Sequence, residues 1–185
     1  MHYLTTAWNN LYTYIMSPEV LNEIINNRFF LILFVLILSS LRHGVYHSMF
    51  MASLINMPGT ILHEIAHFTI GLILNAKPTK FSLFPHKSEK GYVMGSVGFR
   101  NLNFYNSLPS AMAPLLLLVA AYYIDKNFFK FFEINLINYL LYVLLLSIII
   151  ENAMPSSTDF RVGFKYIAGN LIYLTLLIAF LIIFL

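Results

Sequence analysis

The chain contains no cysteine and few charged residues. Among its 185 residues, 10% are charged and 59% are hydrophobic. The absence of cysteine excludes disulfide bonds and thiolate metal sites. A soluble domain of this size has too little interior to bury so much apolar surface, so we expect a membrane protein. The net charge of +3 is small and its basic residues lie in connecting segments, so we expect no nucleic-acid partner.

Long apolar stretches predict several membrane-spanning helices. A spanning helix needs about 20 mostly apolar residues. The stretches that approach this length are 29–41, 45–76, 108–124, 134–150 and 166–185. The expected fold is an all-α transmembrane bundle of about four to six hydrophobic passes. We expect one transmembrane domain at 29–185, with no room for a second sizeable domain.

The N-terminal segment, 1–28, has a different pattern. It lacks the basic start and the small-residue cleavage site of a secretory signal, so no removed leader is expected. Ser17 followed by Pro18 predicts the start of a helix, with the serine as its N-cap. Apolar residues then recur at helical spacing. We therefore expect an amphipathic helix at the membrane interface, with the lipid bilayer as its partner.

The segment 76–107 is the most basic connection between apolar stretches. It is also rich in glycine and proline, and two short parts of it, 81–84 and 92–99, are rich in aromatic and β-branched residues. This pattern predicts a β-hairpin or small sheet. Basic loops favour the cytoplasmic side of a membrane, so we expect this loop there. Its basic residues are Lys77, Lys80, Lys87, Lys90 and Arg100.

The segment 63–67, His-Glu-Ile-Ala-His, contains candidate zinc ligands and a candidate general base. On a helix, the four-residue spacing places His63 and His67 on one face, where both imidazoles can hold one zinc ion. Glu64 then lies beside the metal as a general base. Histidine and glutamate are expensive at membrane depth and seldom occur there without a task. The alternative interpretation is a buried polar cluster that only packs helices.

A catalytic zinc site needs a third protein ligand and an open position for water. Asp159 is our first candidate, because it lies in a polar interruption where Pro155 breaks a helix. Its alternative role is that of a helix N-terminal residue favoured by the helix dipole. Glu151 is the second candidate. His43 and His47 share the four-residue spacing and could form a second metal pair, but we favour their interpretation as polar residues near a helix end at the interface.

Several segments together resemble the site-2 protease family of intramembrane zinc metalloproteases. The segments that carry this resemblance are His-Glu-Ile-Ala-His at 63–67, Met-Pro-Gly-Thr at 57–60, Phe-Ser-Leu-Phe-Pro at 81–85, Ala-Pro at 113–114, and Asn152, Pro155 and Asp159. The resemblance implies that His63, His67 and Asp159 bind zinc and that Glu64 is the catalytic acid and base. It also implies that Asn152 and Pro155 shape an extended segment against which substrate lies.

The expected function is therefore that of a zinc-dependent intramembrane endopeptidase. Its substrate would be a peptide bond in or beside a transmembrane segment of another protein. We expect a multi-pass protein of the cell membrane, with its active site nearer the cytoplasmic face. Two alternatives remain open from the residues: a membrane protein that binds zinc without proteolysis, and a transporter that uses the same polar groups as an ion path.

Overall fold

The computed structural model describes residues 2–15, 17–44, 49–84, 86–88, 91–93 and 95–184. Helices make up most of this described chain, as the sequence predicts. They are α1 (His2–Ile15), α2 (Pro18–Asn26), α3 (Arg28–Gly44), α4 (Met49–Ile73), α5 (Ser107–Ala111), α6 (Leu116–Phe131), α7 (Leu136–Asn152), α8 (Ser157–Gly163) and α9 (Ile167–Phe184). A 3₁₀ turn at Ala113–Leu115 separates α5 from α6.

The packing core lies where α7 meets α3 and α6. Helix α7 starts at Asn135, whose side chain accepts a hydrogen bond from the Asn138 N–H at 2.8 Å. Tyr139 on α7 meets Phe34 on α3 edge to face, with ring centroids 5.8 Å apart. Val143 and other large α7 side chains are almost fully buried. This core holds α7 in place and thereby positions the C-terminal end of α7 against α4.

Helix α4 runs through Pro58 and carries the His-Glu-Ile-Ala-His segment at 63–67. It begins at Met49, so the Met-Pro-Gly-Thr segment at 57–60 lies inside the helix. Beyond its last turn, the Ala76 N–H donates to the Gly71 carbonyl at 2.8 Å, and Asn75 adopts a left-handed conformation with φ 55°. Asparagine tolerates that conformation, which is a common way to end a helix. The chain then turns directly into the β-structure.

Two small antiparallel sheets occupy the loop that follows α4. They consist of β1 (Pro78–Ser82), β2 (His86–Ser88), β3 (Gly91–Val93) and β4 (Ser96–Phe99), with β1 paired to β4 and β2 paired to β3. The register of the first pair shifts between Pro78 and Lys80. Proline has no N–H to give to a strand ladder, which explains an irregularity at this end. The predicted β-structure after the zinc-motif helix is therefore confirmed.

Helix α9 is long and apolar enough to cross a bilayer. Its 18 residues have a mean hydropathy of 2.5, and 6% of them are buried. Helices α7 and α8 would form a second such span if they are taken as one segment bent by 49°. Within the described ranges, the count of candidate spans is thus one or two. The four to six passes expected from the sequence stay a prediction.

Contacts near its first turns attach α9 to the loop before α5. The Tyr166 hydroxyl donates to the Leu102 carbonyl at 2.9 Å, and the Tyr173 hydroxyl donates to the Tyr105 carbonyl. Gly169 lies against the Phe104 carbonyl so closely that a Cβ there would overlap it. Glycine is therefore required at this crossing. The later turns of α9 present mostly exposed apolar side chains.

The apolar stretch 108–124 differs from its prediction as one continuous pass. The structure divides it into α5, the 3₁₀ turn and the first part of α6, and α6 then continues to Phe131. Pro114 lies at the start of the 3₁₀ turn. A proline ring clashes with the carbonyl four residues earlier and cannot donate a helical hydrogen bond, which accounts for the break.

The N-terminal helices match the predicted local signals. Ser17 is the N-cap of α2, and its side chain accepts a hydrogen bond from the Val20 N–H at 3.4 Å. Helix α1 presents Tyr3, Leu4 and Trp8 as largely exposed side chains. Exposed aromatic residues of this kind suit a membrane–water interface. The interfacial location of this segment stays a prediction.

Candidate metal centre

The two histidines of α4 lie on one face of the helix, as their spacing predicts. Their rings are 4.7 Å apart between centroids, and the two Nε2 atoms are 3.1 Å apart. His67 is buried and His63 is half-buried. One turn of helix thus brings two imidazole nitrogens to a single point.

Asp159 reaches the same point from the first turn of α8. Its Oδ1 lies 3.3 Å from His67 Nε2, and its Oδ2 lies 3.5 Å from His63 Nε2. The same carboxylate also caps its own helix, because it accepts the Ser156 N–H at 2.6 Å while the Ser156 hydroxyl accepts the Asp159 N–H at 3.2 Å. Both roles considered from the sequence are therefore compatible. The capping box holds the carboxylate in the orientation that faces the histidines.

The distances among these three groups fit a tetrahedral zinc ion. Zinc binds imidazole nitrogen and carboxylate oxygen at about 2.0–2.1 Å, which places neighbouring ligand atoms about 3.3 Å apart in a tetrahedron. The two Nε2 atoms are 3.1 Å apart, and the distances from the Nε2 atoms of His67 and His63 to their nearer carboxylate oxygens are 3.3 and 3.5 Å. The two histidines approach different oxygens of Asp159, and one ligand atom from each of the three residues lies within 4.8 Å of the other two. His63, His67 and Asp159 therefore offer ligand atoms at separations close to those of a tetrahedral zinc site.

The hydrogen bonds behind the histidines identify which ring nitrogens carry protons. His63 Nδ1 lies 2.8 Å from the Asn152 carbonyl, and His67 Nδ1 lies 2.8 Å from the Ser110 carbonyl. A carbonyl only accepts, so each Nδ1 donates, and in a neutral ring the Nε2 atom then offers its lone pair. When both rings are neutral, two lone pairs and the Asp159 carboxylate face one another. A metal ion among them, or a proton on one Nε2, offsets the repulsion between these acceptors, and a backbone carbonyl on the far nitrogen is the usual support for a metal-bound histidine.

A cavity of about 610 Å³ opens beside these three residues. Glu64 lines it, and its side chain is 6% exposed. Gly95, just before β4, covers this carboxylate so closely that a Cβ would lie 2.9 Å from Glu64 Oε1 and 2.6 Å from Thr60 Cγ2. The cavity is therefore walled by α4 on one side and by β4 on the other. It is large enough for a few residues of a peptide together with water.

Asn152 and Pro155 differ in their relation to the cavity. Asn152 lines it, donates from its side chain to the Ile148 carbonyl at 2.8 Å, and supports His63 through its own carbonyl. Pro155 is buried in the connection between α7 and α8 and is not among the residues that line the cavity. Their expected role against a substrate stays a prediction. Asn152 has the additional role of orienting a histidine.

Glu151, the second candidate ligand, is not part of this group. Glu151 lines the cavity, but the only described group of ligand atoms close enough to share an ion consists of His63, His67 and Asp159. The side chains of His43 and His47 fall outside the part of the chain that the structure describes. The geometry thus favours Asp159 over Glu151 as the third ligand.

Some residues of the site carry no signal in the sequence. Ser110 supports His67 through a backbone carbonyl, which any residue type would provide. Gly59 makes room for the Asn152 side chain, because a Cβ at residue 59 would overlap that amide. The capping box was detectable in principle, since Ser156 precedes Asp159 by three residues.

In comparisons with known proteins, no family model, no curated protein and no solved structure matches this chain.

Proposed function

We propose that this protein is a zinc-dependent intramembrane endopeptidase. The observation that carries the proposal is the convergence of two imidazoles and one carboxylate at tetrahedral spacing, with Glu64 in the adjoining cavity. Three protein ligands leave a fourth zinc position for water or substrate, which is the arrangement of catalytic rather than structural zinc sites. The resemblance of the motifs to the site-2 protease family agrees with this proposal.

The proposed reaction is hydrolysis of a peptide bond. A zinc ion held by the three ligands would supply a water nucleophile at neutral pH and would polarise the scissile carbonyl. Glu64 takes a proton from the attacking water on its carboxylate and passes it to the leaving amine. His63 and His67 stay oriented during these steps by the carbonyls of Asn152 and Ser110. Gly95 shields the Glu64 carboxylate from bulk water.

Several features support a location in a membrane. Helix α4 has 25 residues, and Glu64 is the only one of them that is Asp, Glu, Lys or Arg. The exposed surfaces of α6, α7 and α9 carry many large apolar side chains. We infer that these helices contribute to the bundle of four to six passes. We also infer that the active site lies toward the basic loop, on the cytoplasmic side.

The strand β4 offers a way to hold a substrate. It pairs with β1 on one edge, and Ser96 and Val97 line the cavity beside Glu64. A transmembrane helix hides its carbonyls, so the segment to be cut must unwind before it can be hydrolysed. Added as a strand along β4, or along the extended segment from Asn152 to Pro155, an unwound peptide would regain its backbone hydrogen bonds.

The test combines metal content with cleavage on the same samples. Detergent-purified wild type and the variants His63→Ala, Asp159→Ala and Glu64→Gln are analysed for zinc by mass spectrometry and assayed on a model transmembrane substrate, with Glu133→Gln as a matched surface control. We expect about one zinc per chain in the wild type, loss of zinc in the first two variants, and zinc without cleavage in Glu64→Gln.

Three results would count against the proposal. Wild type that binds no zinc would overturn it. Zinc binding together with full biological function of Glu64→Gln would instead indicate a protein that binds the metal without proteolysis. Zinc-dependent flux into vesicles, abolished by the ligand variants, would favour the transporter alternative.

A further inference from the structure

A groove separate from the metal centre runs along the first turns of α9. Its volume is about 700 Å³, and it lies between α9 on one side and α5 on the other. Its lining is apolar apart from Asn170 and Tyr173, and the Tyr173 hydroxyl already donates to the Tyr105 carbonyl. The groove is therefore suited to an apolar ligand.

Two basic side chains lie at the end of this groove where α9 begins. Lys165 lies between Phe164 and Ile167, which both line the groove, and Arg161 precedes them on α8. Both basic residues are exposed, and neither is paired with a carboxylate in the part of the chain that the structure describes. An anionic phospholipid has the complementary pattern, because a negative headgroup is followed by apolar chains. Basic pockets between spanning helices are typical sites for such headgroups.

The length of the groove matches one leaflet of a bilayer. From Ile167 to Leu177, the first and last α9 residues that line it, the helix rises about 15 Å at 1.5 Å per residue. The hydrocarbon core of a typical bilayer is about 30 Å thick, so each leaflet contributes about 15 Å. Helix α9 itself continues to Phe184. An acyl chain would fill a groove of this length, whereas a partner transmembrane helix would extend well beyond it.

Asn170 places an amide inside the apolar groove, about one turn from its basic end. It is partly buried, and its side chain has no hydrogen-bond partner within the described ranges. An amide can donate two hydrogen bonds, and a polar side chain on a spanning helix is costly until it finds a partner. The ester carbonyls of a phospholipid lie just below its phosphate and accept hydrogen bonds. Asn170 thus lies where these carbonyls would be bound.

We propose that this groove binds one anionic phospholipid of the cytoplasmic leaflet. The phosphate lies at Arg161 and Lys165, an ester carbonyl accepts from Asn170, and one acyl chain lies along α9. Two tyrosine hydroxyls attach the beginning of α9 to the basic loop at 76–107, which we expect on the cytoplasmic side. The proposal uses the membrane setting proposed above but does not depend on the protease reaction.

The first measurement determines which lipid stays bound to the purified protein. Native mass spectrometry is performed in detergent after titration with phosphatidylglycerol or with phosphatidylcholine of the same acyl chains. Each basic residue near a membrane surface favours anionic lipid by about fivefold, so two residues predict a preference of about 25-fold for phosphatidylglycerol. Arg161→Gln combined with Lys165→Gln should remove this preference. A wild type that binds both lipids equally would overturn the proposal.

Matched controls separate the groove from general effects of charge and bulk. Lys126→Gln combined with Lys130→Gln makes the same change of charge on exposed residues of α6 and should keep the wild-type preference. The same loss in this control would show that net charge selects the lipid, which would contradict the proposal. Leu171→Trp fills the groove and should lose bound phosphatidylglycerol, whereas Ile172→Trp, which is next to it and outside the groove, should keep it.

Further outcomes distinguish the lipid from other occupants and from the proposed function. If the basic double variant does not fold, the two tryptophan variants decide the question. A homodimer without bound phospholipid that dissociates in Leu171→Trp would show that a second copy covers the groove, and the lipid proposal would be wrong. Lipid preference is measured without a peptide substrate, so it would support this inference even if the wild type cleaves nothing. Cleavage without any lipid preference would overturn this inference and keep the protease proposal.

Discussion

Two polar clusters each place an aspartate among the helices, and their surroundings are opposite. In the first, Arg28 of α3 donates two hydrogen bonds to Asp125 of α6, one of them at 3.0 Å, and the Tyr142 hydroxyl donates to the same carboxylate at 2.6 Å. In the second, Asp159 faces the Nε2 atoms of two imidazoles whose Nδ1 atoms donate to backbone carbonyls. The first cluster pairs donors with an acceptor. The second brings acceptors together when both rings are neutral, so a metal ion or a proton placed among them stabilises it.

This contrast distinguishes a structural polar cluster from a candidate metal site in this chain. Burial and charge are similar in kind, since the side chains of Asp125 and Asp159 are 15% and 18% exposed. The direction of the hydrogen bonds differs. Donors that converge on a carboxylate stabilise packing, whereas carbonyls placed behind two histidines orient their Nε2 atoms toward a point where a metal ion can bind.

The largest expected effect is a difference between the two aspartates in their importance for zinc binding. Asp159→Ala should lose zinc affinity by more than the roughly 10- to 100-fold that removal of an outer partner costs, because a direct ligand is lost. Asp125→Asn should keep its zinc. Zinc affinity measured by competition with a chelator tests both variants. Equal zinc affinities in the two variants would remove the distinction between the clusters.

The next effect concerns the support behind His63. Gly59→Ala places a methyl group against the Asn152 side-chain amide, so this side chain must shift, and we expect the shift to displace the adjoining backbone carbonyl that accepts from His63 Nδ1. We expect a loss of about 10- to 100-fold in zinc affinity. Gly44→Ala is the matched control, because no atom of the residues that the structure describes lies within 4 Å of the added Cβ. Wild-type zinc affinity in Gly59→Ala would show that the packing of Asn152 against Gly59 does not position the support of His63.

A smaller effect is expected at the cap of α8. Ser156→Ala removes the hydroxyl that accepts the Asp159 N–H, and loss of such a cap typically lowers stability by about 1 kcal/mol. The free energy of unfolding of the zinc-loaded protein in detergent measures this loss. Ser157→Ala, on the next residue and exposed, should be nearly neutral. A neutral Ser156→Ala would mean that the capping box does not hold the first turn of α8.

The smallest expected effect concerns the ion pair between Arg28 and Asp125 in the first cluster. A double-mutant cycle on Arg28→Ala and Asp125→Asn should give a coupling energy of about 0.2–1 kcal/mol, because the arginine is half exposed and exposed ion pairs contribute little. Zinc affinity should be the same in all members of the cycle. A change in zinc affinity there would connect the two clusters and contradict the view that the first is only structural.

The sequence could predict the local part of the site and not the long-range part. Helical periodicity places His63 and His67 together, and the polar interruption draws attention to Asp159. Whether these residues bind zinc stays a prediction. The ion pair between Arg28 and Asp125 joins residues 97 positions apart, and no local sequence pattern predicts it. The hydrogen bond from His67 to the Ser110 carbonyl could not be predicted for another reason, because every residue has a backbone carbonyl.

The attachment of α9 has a consequence for how the protein would adapt to membranes of different thickness. At 1.5 Å per residue its 18 residues span about 27 Å, slightly less than the hydrocarbon core of a typical bilayer. Tyr166, Gly169 and Tyr173 fix its first turns, and its later turns are free of the bundle's interior. Tilting would shorten its reach across the bilayer further, so in the proposed membrane setting the bilayer would thin beside α9.

Helix α8 is held nearby, by the hydrogen bond from the Ser107 hydroxyl to the Val162 carbonyl, at 2.6 Å. That bond ties the helix carrying Asp159 to α5, which also carries the Ser110 carbonyl behind His67. Helices α8 and α9 are thus both anchored at α5 or at the loop before it. In the proposed membrane setting, the lipid would adapt to α9 rather than α9 to the lipid, and the candidate metal centre would keep its geometry.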